Sequence, residues 1–392
     1  MRIVFYILVV GISTVVTFAL AFVILKLSHR YRLYPKIRER DMHSRPTPRL
    51  GGIAMFFGVL TAFAVASQLD ALSIVFSEPL KVVGLLVAAL IIVALGVADD
   101  IWDLDWWTKL AGQIIAGGVL AWSGIQIYTL PVFGSVFILP TSMSLVITVL
   151  TVVLVMNAIN FIDGLDGLVA GVALIANGVF FVYSYLLAVD AGNTQYFNLA
   201  SMIAAVLIGA CIGFLPLNFH PAKLFMGDAG SMLVGLLMAA SALSVTGQVD
   251  PATWGGRELL PAFIPILLPF AVLIVPLLDF SLAVLRRMAA GKSPFAADRK
   301  HLHHRLIDMG HSHLQAVLIF YGWTAAFSLG CLAFLRFDWP IATGLIGLGL
   351  VVCTALTLLP LFGRTRDERD AELEPEPEPE PEPETKTQKA AL

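Results

Sequence analysis

The sequence has little charge. Only 14% of its 392 residues are Asp, Glu, Lys or Arg, whereas 58% are hydrophobic and the mean hydropathy is +0.84. Soluble domains carry about 25% charged residues, so this composition excludes an ordinary soluble protein. Instead, the chain repeats apolar runs of about 20 residues, which is the length that a helix needs to cross a bilayer. Lipid offers the backbone no hydrogen-bond partner, so we expect these spans to be helices.

Cysteine is also scarce, since the chain contains only Cys211, Cys331 and Cys353. Each of them lies inside an apolar run. Three such residues provide neither a disulfide framework nor the ligand spacing of a zinc site. We therefore interpret them as small residues of the core.

The apolar runs predict an all-α integral membrane protein with about eleven transmembrane helices. The ninth run contains four prolines, which remove helical hydrogen bonds and predict a kinked or broken helix beside a groove open to lipid. A packing kink without a catalytic role is the alternative. The runs lie near residues 3–27, 51–69, 80–98, 109–125, 142–160, 168–189, 197–215, 230–247, 260–285, 314–335 and 340–361.

The basic loop residues predict the orientation. Arg and Lys are concentrated in residues 30–49 and 286–305. Such loops remain in the cytoplasm, which places the N-terminus outside an inner or plasma membrane and the C-terminus inside. Residues 1–362 then form a transmembrane domain, and any catalytic site in this domain is expected on its cytoplasmic loops. The Glu/Pro-rich residues 363–392 form a disordered cytoplasmic tail.

This topology brings five polar loops to the cytoplasmic face, and the first acidic one contains Asp99 and Asp100. Adjacent carboxylates repel each other unless a cation is near, which suits a metal-linked phosphate site or a base. A solvated loop with interfacial tryptophans is the alternative. Lys109 opens the next span, where it either snorkels to the interface or holds a phosphate as a point charge.

The stretch NAINFIDGLDGL ends another apolar run. Its Asn157, Asn160, Asp163 and Asp166 are three residues apart, so consecutive members can line one side of a helix. Asp228 lies between two glycines in the motif FMGDAGS. It is either a helix N-cap or a carboxylate ligand of a metal at a helix N-terminus.

The loop DRKHLHHRL combines three histidines with four basic or acidic neighbours. Its spacing is not that of a structural zinc site, so a phosphate or diphosphate partner is favoured over a metal. A plain cytoplasmic basic loop is the alternative. The acidic loops, in contrast, suit Mg²⁺, which prefers oxygen ligands and bridges phosphates.

Carboxylates, Mg²⁺ and basic groups around a phosphate are the components of phosphoryl transfer, and their place at a membrane face indicates a lipid substrate. A transporter is the rival from another class. Its site would lie near the middle of the bilayer, whereas Asp279, the clear carboxylate inside these spans, lies near the cytoplasmic end of the ninth one, which disfavours transport. A scaffold that binds anionic lipid through its basic loops would leave the acidic clusters unexplained.

Five motifs together resemble the polyprenyl-phosphate N-acetylhexosamine-1-phosphate transferases, which are bacterial membrane enzymes with ten or eleven spans. The resemblance covers roughly residues 1–335. The separated histidines, with Asp298 and Arg299 ahead of them, are similar to the GlcNAc-1-phosphate branch rather than to the MurNAc-pentapeptide branch. The motifs are RPTPRLGG (45–52), VADD (97–100), NAINFIDGLDGL (157–168), FMGDAGS (225–231) and SPFAADRKHLHHRL (293–306).

The resemblance implies transfer of GlcNAc 1-phosphate from UDP-GlcNAc to undecaprenyl phosphate or another polyprenyl phosphate, with release of UMP. This would be the first membrane step of a cell-envelope polysaccharide. UDP-MurNAc-pentapeptide or another UDP-N-acetylhexosamine is the alternative donor. The implied cofactor is Mg²⁺, with Mn²⁺ as a substitute. The implied partners are a UDP-sugar, a polyprenyl phosphate lipid and the membrane. A homodimer remains open, and no nucleic acid is expected.

The resemblance also implies roles for individual residues. Asn160 and Asp228 would hold Mg²⁺, and Asp99, with Asp100 beside it, would be the base or orient the lipid phosphate. Lys109 would contact phosphate. The residues implied at the nucleotide end are Asp163, Asp166 and Asn218. Those implied at the sugar and diphosphate are Arg299, His301, His303 and His304. Two further positions that match the GlcNAc branch are Asp41 and Asp298.

Overall fold

The described part of the protein is a bundle of helices with one small β-hairpin. The computed structural model describes residues 2–32, 47–132, 135–190, 195–246, 259–289, 291, 302–334 and 336–363. The helices are α1 (Arg2–Tyr31), α2 (Gly51–Ala66), α3 (Pro79–Trp102), α4 (Trp106–Trp122), α5 (Thr141–Ile162), α6 (Leu168–Asp190), α7 (Gln195–Asn218), α8 (Gly227–Thr246), α9 (Leu259–Ala289), α10 (Leu302–Asp308), α11 (His313–Ala333) and α12 (Trp339–Gly363). A 3₁₀ segment, Asp70–Phe76, lies between α2 and α3.

The all-α membrane architecture is confirmed. Each of the eleven predicted runs overlaps one helix, and α10 is an additional short helix. Among the described residues, eight helices are long and apolar enough to cross a membrane. A ninth is added if α2 and the 3₁₀ segment, which meet at 114°, form one span. The count of eleven and the orientation therefore remain predictions.

The backbone of α9 is helical from Leu259 to Ala289 through all four prolines, so the helix is continuous and its kink remains a prediction. The hairpin was not predicted, because its short alternating pattern lies between two long apolar runs. It consists of β1 (Thr129–Val132) and β2 (Ser135–Ile138), which pair antiparallel. The predicted tail beyond Gly363 lies outside the described residues.

The turn between α3 and α4 reverses the chain in three residues. Asp103 ends α3 in the left-handed region, with φ of 53°, and its N–H donates to the carbonyl of Asp99. Asp105 then caps α4, accepting hydrogen bonds from the hydroxyl and the N–H of Thr108. These bonds lower the pKa of the Asp105 carboxyl below its ordinary value. The short turn sets the C-terminus of α3 beside the N-terminus of α4.

The centre of the bundle is α8, the most buried of the eight candidate spans. It packs against α2, α3, α5 and α7. The first residues of α2 and the segment before them also pair with the residues just before α8. Phe225 N donates to Pro48 O at 2.8 Å, Gly51 N to Phe225 O at 3.0 Å, and Gly52 N to Met226 O at 2.9 Å. These bonds fix the point at which the chain enters α8.

Glycines allow α2 and α3 to approach the first turn of α8. A Cβ on Gly52 would collide with backbone atoms of Ala229 and Gly230. A Cβ on Gly96 would collide with backbone atoms of Asp228 and Ala229. Only a residue without a side chain fits such a close approach. The position of Asp228 therefore depends on α2 and α3 as well as on its own helix.

We predict that Gly96→Ala destabilises the protein. The new methyl group must displace the first turn of α8, and overpacking of this kind costs about 1–3 kcal/mol. Thermal unfolding of the purified protein in detergent should show a lower melting temperature than the wild type. Gly118→Ala on α4 is the matched control, because a Cβ there meets no atom within 4 Å. Equal melting temperatures for the two variants would contradict the packing argument.

Candidate active site

A lysine joins two carboxylates that are far apart in sequence. The Nζ atom of Lys109 lies 2.6 Å from Asp99 Oδ2 and 3.1 Å from Asp228 Oδ2. Asp99 is at the end of α3, Lys109 is in the first turn of α4, and Asp228 is in the first turn of α8. The ammonium group reduces the repulsion that would otherwise separate the two carboxylates. Sequence analysis left Lys109 open between snorkelling and phosphate binding and did not foresee this bridge.

The three side chains differ in exposure. The side chain of Asp99 is 3% exposed, whereas those of Lys109 and Asp228 are 26% and 30% exposed. The other oxygen of Asp99, Oδ1, accepts the backbone N–H of Leu104 at 2.8 Å, so the turn into α4 folds around this carboxylate. Asp99 is therefore held rigidly at the base of the site, and Lys109 and Asp228 are reachable from outside.

Asn160 connects α5 to the same cluster. Its Nδ2 donates to Asp228 Oδ1 at 3.2 Å and to Ser231 Oγ at 2.9 Å. Ser231 Oγ in turn donates to Gly227 O at 3.1 Å. Because both hydrogens of the Asn160 amide group are donated to these two acceptors, its side-chain carbonyl oxygen is the atom that can coordinate a cation. Ser231 was not predicted, although its position one turn after Asp228 on the same helix indicates it.

Asp100 lies against the N-terminus of α8. Its Oδ1 accepts the backbone N–H of Asp228 at 3.3 Å. Gly227 has a φ of +68°, and a Cβ there would collide with Asp100 Oδ2 and with the carbonyl of Arg49. Asp100 Oδ2 is buried and has no hydrogen-bond partner in the described part of the chain. A buried carboxylate oxygen in this state is unfavourable unless a cation or a donor joins it.

A second cluster holds the loop after α5 against the loop before α8. Asp166 Oδ2 accepts the backbone N–H of Ala222 at 3.0 Å and lies 2.9 Å from His220 Nδ1. Asn218 accepts the N–H of Gly167 at 3.2 Å and donates to Leu224 O at 3.1 Å. Asp166 and Asn218 are both buried. Their described contacts hold the loops in shape, and their predicted contact with the nucleotide remains a prediction.

His220 is the residue of this cluster that sequence analysis missed. Its side chain is 45% exposed, and its ring stacks on that of His313, with 5.9 Å between the ring centroids. Tyr321 adds a third contact from α11, because its hydroxyl donates to Gly167 O at 2.6 Å. Asp163, the third predicted residue of the nucleotide end, is the C-cap of α5, and its N–H donates to Asn160 O at 3.2 Å.

The histidine motif is described only in part. The backbone of α10 carries His303 and His304. It is fixed to α9 through Asp279, a completely buried side chain whose Oδ1 accepts the N–H of Leu302 at 2.8 Å. The end of α9 in turn reaches α5, where the Arg287 guanidinium lies 5.4 Å from the ring centroid of Phe161. The other predicted residues, Asp41, Asp298, Arg299 and His301, and the side chains of both α10 histidines lie outside the described residues.

No group of three or more His, Cys, Asp or Glu residues in the described part of the chain is arranged to hold a metal by itself. The cluster instead offers single oxygen atoms from Asp100, Asn160 and Asp228 beside a lysine. A cation that keeps water and phosphate ligands, as Mg²⁺ does, needs only one or two carboxylates from the protein. This donor set is therefore compatible with Mg²⁺ bound together with a phosphate.

Comparisons with known proteins match the chain along most of its length. A model of glycosyl transferase family 4 matches residues 82–246, a range that contains Asp99, Lys109, Asn160 and Asp228. The decaprenyl-phosphate N-acetylglucosaminephosphotransferase of Mycobacterium tuberculosis is 41% identical over 344 residues, which is 87% of this chain and 84% of that protein.

More distant relatives come from two branches. The undecaprenyl-phosphate alpha-N-acetylglucosaminyl 1-phosphate transferase of Yersinia pestis is 27% identical over 77% of this chain and 76% of its own length. The phospho-N-acetylmuramoyl-pentapeptide-transferase of Halalkalibacterium halodurans is 30% identical over 82% of this chain and 94% of its own. These matches, together with the motifs, show that the chain belongs to glycosyl transferase family 4, the polyprenyl-phosphate N-acetylhexosamine-1-phosphate transferases.

Proposed function

We propose that the chain transfers GlcNAc 1-phosphate from UDP-GlcNAc to undecaprenyl phosphate or a related polyprenyl phosphate. UMP leaves, and polyprenyl-diphosphate-GlcNAc remains in the membrane. The observation that carries the proposal is the bridge from Lys109 to Asp99 and Asp228 at the ends of membrane helices. The 41% identity over 87% of this chain to a relative named for the GlcNAc reaction favours GlcNAc.

In the proposed reaction an oxygen of the lipid phosphate attacks the β-phosphorus of the UDP-sugar, and the bond from that phosphorus to the UMP oxygen breaks. The second pKa of a phosphate monoester is near 6, so the lipid phosphate is already mostly dianionic at neutral pH. A strong general base is therefore hardly required. Buried Asp99 acts through its charge and its hold on Lys109, and the partly exposed ammonium of Lys109 attracts phosphate.

We propose Mg²⁺ as the cofactor, with Mn²⁺ as a substitute, held by Asp228 and the amide oxygen of Asn160. Asp100, which accepts the backbone N–H of Asp228 through Oδ1, adds a further carboxylate beside Asp228 and so favours binding of a cation there. When bound, the ion neutralises charge on the diphosphate and on the departing UMP. Lys109 bridges Asp99 and Asp228 beside this donor set.

We also propose that the site faces the cytoplasm of an inner or plasma membrane. The segment of residues 47–52 lies at the site, and it follows α1, whose last turn contains His29 and Arg30. The last turn of α9 contains Arg286 and Arg287 and also lies near the site. Basic residues concentrated at one end of membrane helices indicate the cytoplasmic end. The predicted homodimer remains a prediction.

The donor sugar is tested by a substrate panel. Proteoliposomes with the purified chain, undecaprenyl phosphate and Mg²⁺ receive UDP-GlcNAc, UDP-GalNAc or UDP-MurNAc-pentapeptide, and UMP release is measured. We expect the fastest release with UDP-GlcNAc. Release with UDP-MurNAc-pentapeptide alone would refute the donor, and transport of a UDP-sugar across the bilayer without UMP release would refute the transferase.

Removal of one charge tests the metal assignment. Asp228→Asn keeps the size of the side chain but removes its negative charge, so we expect UMP release to fall by about 10²–10³-fold, as for other groups that stabilise a transition state electrostatically. Asp70→Asn, an exposed carboxyl in the 3₁₀ segment, is the control and should retain activity. Near-normal activity of a correctly inserted Asp228→Asn protein, with unchanged dependence on Mg²⁺ concentration, would exclude Asp228 as a ligand.

A further inference from the structure

Two amide side chains contact each other inside the bundle, just below the lysine bridge. Asn157 Nδ2 on α5 donates to Gln113 Oε1 on α4 at 2.7 Å. Gln113 Nε2 lies 3.3 Å from the sulfur of Met232 on α8 and 3.5 Å from Asn157 Oδ1. The second amide hydrogen of Asn157 is used by Val153 O at 2.8 Å. Gln113 is buried, and its contacts therefore join three helices.

Gln113, Asn157 and Met232 each lie one helical turn from an active-site residue on the same helix. Gln113 follows Lys109 by four residues, and Met232 follows Asp228 by four. Asn157 precedes Asn160 by three. Residues three or four apart lie on the same face of a helix on adjacent turns.

The directions of the helices place all three on the same side of the site. Helices α4 and α8 begin at the site, and α5 ends there. The amide pair is therefore a second polar layer, about 5.4 Å further into the membrane along the same three helices.

An amide pair fixes the position of helices more strictly than apolar contacts do. Leucine side chains can slide past each other, but inside a membrane bundle the separation of an amide from its hydrogen-bond partner costs free energy. The pair consequently restricts both the rotation of α4 and its height relative to α5. Helices α5 and α8 already lie close together at this level, because a Cβ on Gly235 of α8 would lie 2.7 Å from the Cα of Met156 on α5.

We propose that Gln113 and Asn157 are positioning residues that set Lys109 against Asp99 and Asp228. Lys109 depends on α4 for its position, and α4 is held by α3 and α5. Asn160 and Asp228 contact each other directly, so α5 and α8 are joined at the site itself. Among the side-chain hydrogen bonds of the described residues, those of the amide pair join α4 to α5 at membrane depth. The inference rests on the proposed transferase function for its kinetic test but not for its structural test.

The kinetic test uses Gln113→Leu, Asn157→Leu and the double variant in proteoliposomes. We expect kcat for UMP release to fall by about 10- to 100-fold, because small displacements of catalytic groups have effects of this size, with little change in KM for UDP-GlcNAc. The double variant should lose no more than either single variant. Exchange of the two side chains, Gln113→Asn with Asn157→Gln, keeps an amide pair of the same total length and should restore most of the activity.

The structural test needs no turnover. Lys109 is reacted with an amine-labelling reagent and quantified by mass spectrometry. Its labelling should rise in the leucine variants, because the ammonium is no longer held between two carboxylates. The matched control is Ser184→Ala with Ser201→Ala, which removes a buried hydrogen bond of 2.9 Å between α6 and α7. We expect this control to lower the melting temperature but to change neither kcat nor Lys109 labelling.

The outcomes separate the two claims. Absence of UMP release by the wild type would refute the proposed function, and the labelling experiment would still decide the inference. Unchanged Lys109 labelling in the leucine variants would overturn the inference. So would a loss of kcat that the serine control reproduces at the same loss of melting temperature, because the amide pair would then act only on stability.

Discussion

The site depends on one cation held between carboxylates from two distant parts of the chain. Lys109 joins Asp99 at the end of α3 to Asp228 at the start of α8, and Asn160 binds Asp228 from α5. Carboxylates concentrated at a membrane surface repel each other, and the ammonium group offsets that repulsion. It also leaves a site that is both acidic and basic, as a reaction between two phosphates at a divalent cation requires.

The rest of the bundle supports this contact at three levels. Glycines at positions 52 and 96 let α2 and α3 approach the first turn of α8. The short turn capped by Asp105 sets Lys109 close to Asp99. The amide pair of Gln113 and Asn157 holds α4 against α5 at depth. A second cluster around Asp166 and Asn218 fixes the loops beside the site, and exposed His220 lies there. Each of these contacts brings together side chains or backbone segments that lie far apart in the sequence or on different helices.

The motifs singled out Asp99, Asn160 and Asp228, which the structure brings together around Lys109, because carboxylates and amides at the end of an apolar run have few structural uses. The partners of these residues could not be predicted. The bridge from Lys109 to Asp228 joins positions 119 residues apart, and local patterns contain no information on such pairs. His220 and Ser231 were missed because a single histidine or serine in a loop is common. The hairpin between α4 and α5 was missed because it is short. Each of the eleven apolar runs overlaps a helix, but among the described residues length and composition alone support eight or nine helices as spans.

The most direct test of the account is a double-mutant cycle between Lys109 and Asp228. The rate of UMP release is measured for the wild type, Lys109→Met, Asp228→Asn and the double variant, with UDP-GlcNAc and undecaprenyl phosphate in proteoliposomes. If the two side chains act as one unit, each single variant loses most of the activity and the double variant is no slower than the slower single one. Losses that multiply in the double variant would show that the two residues act independently, which would contradict the bridge as the basis of the site.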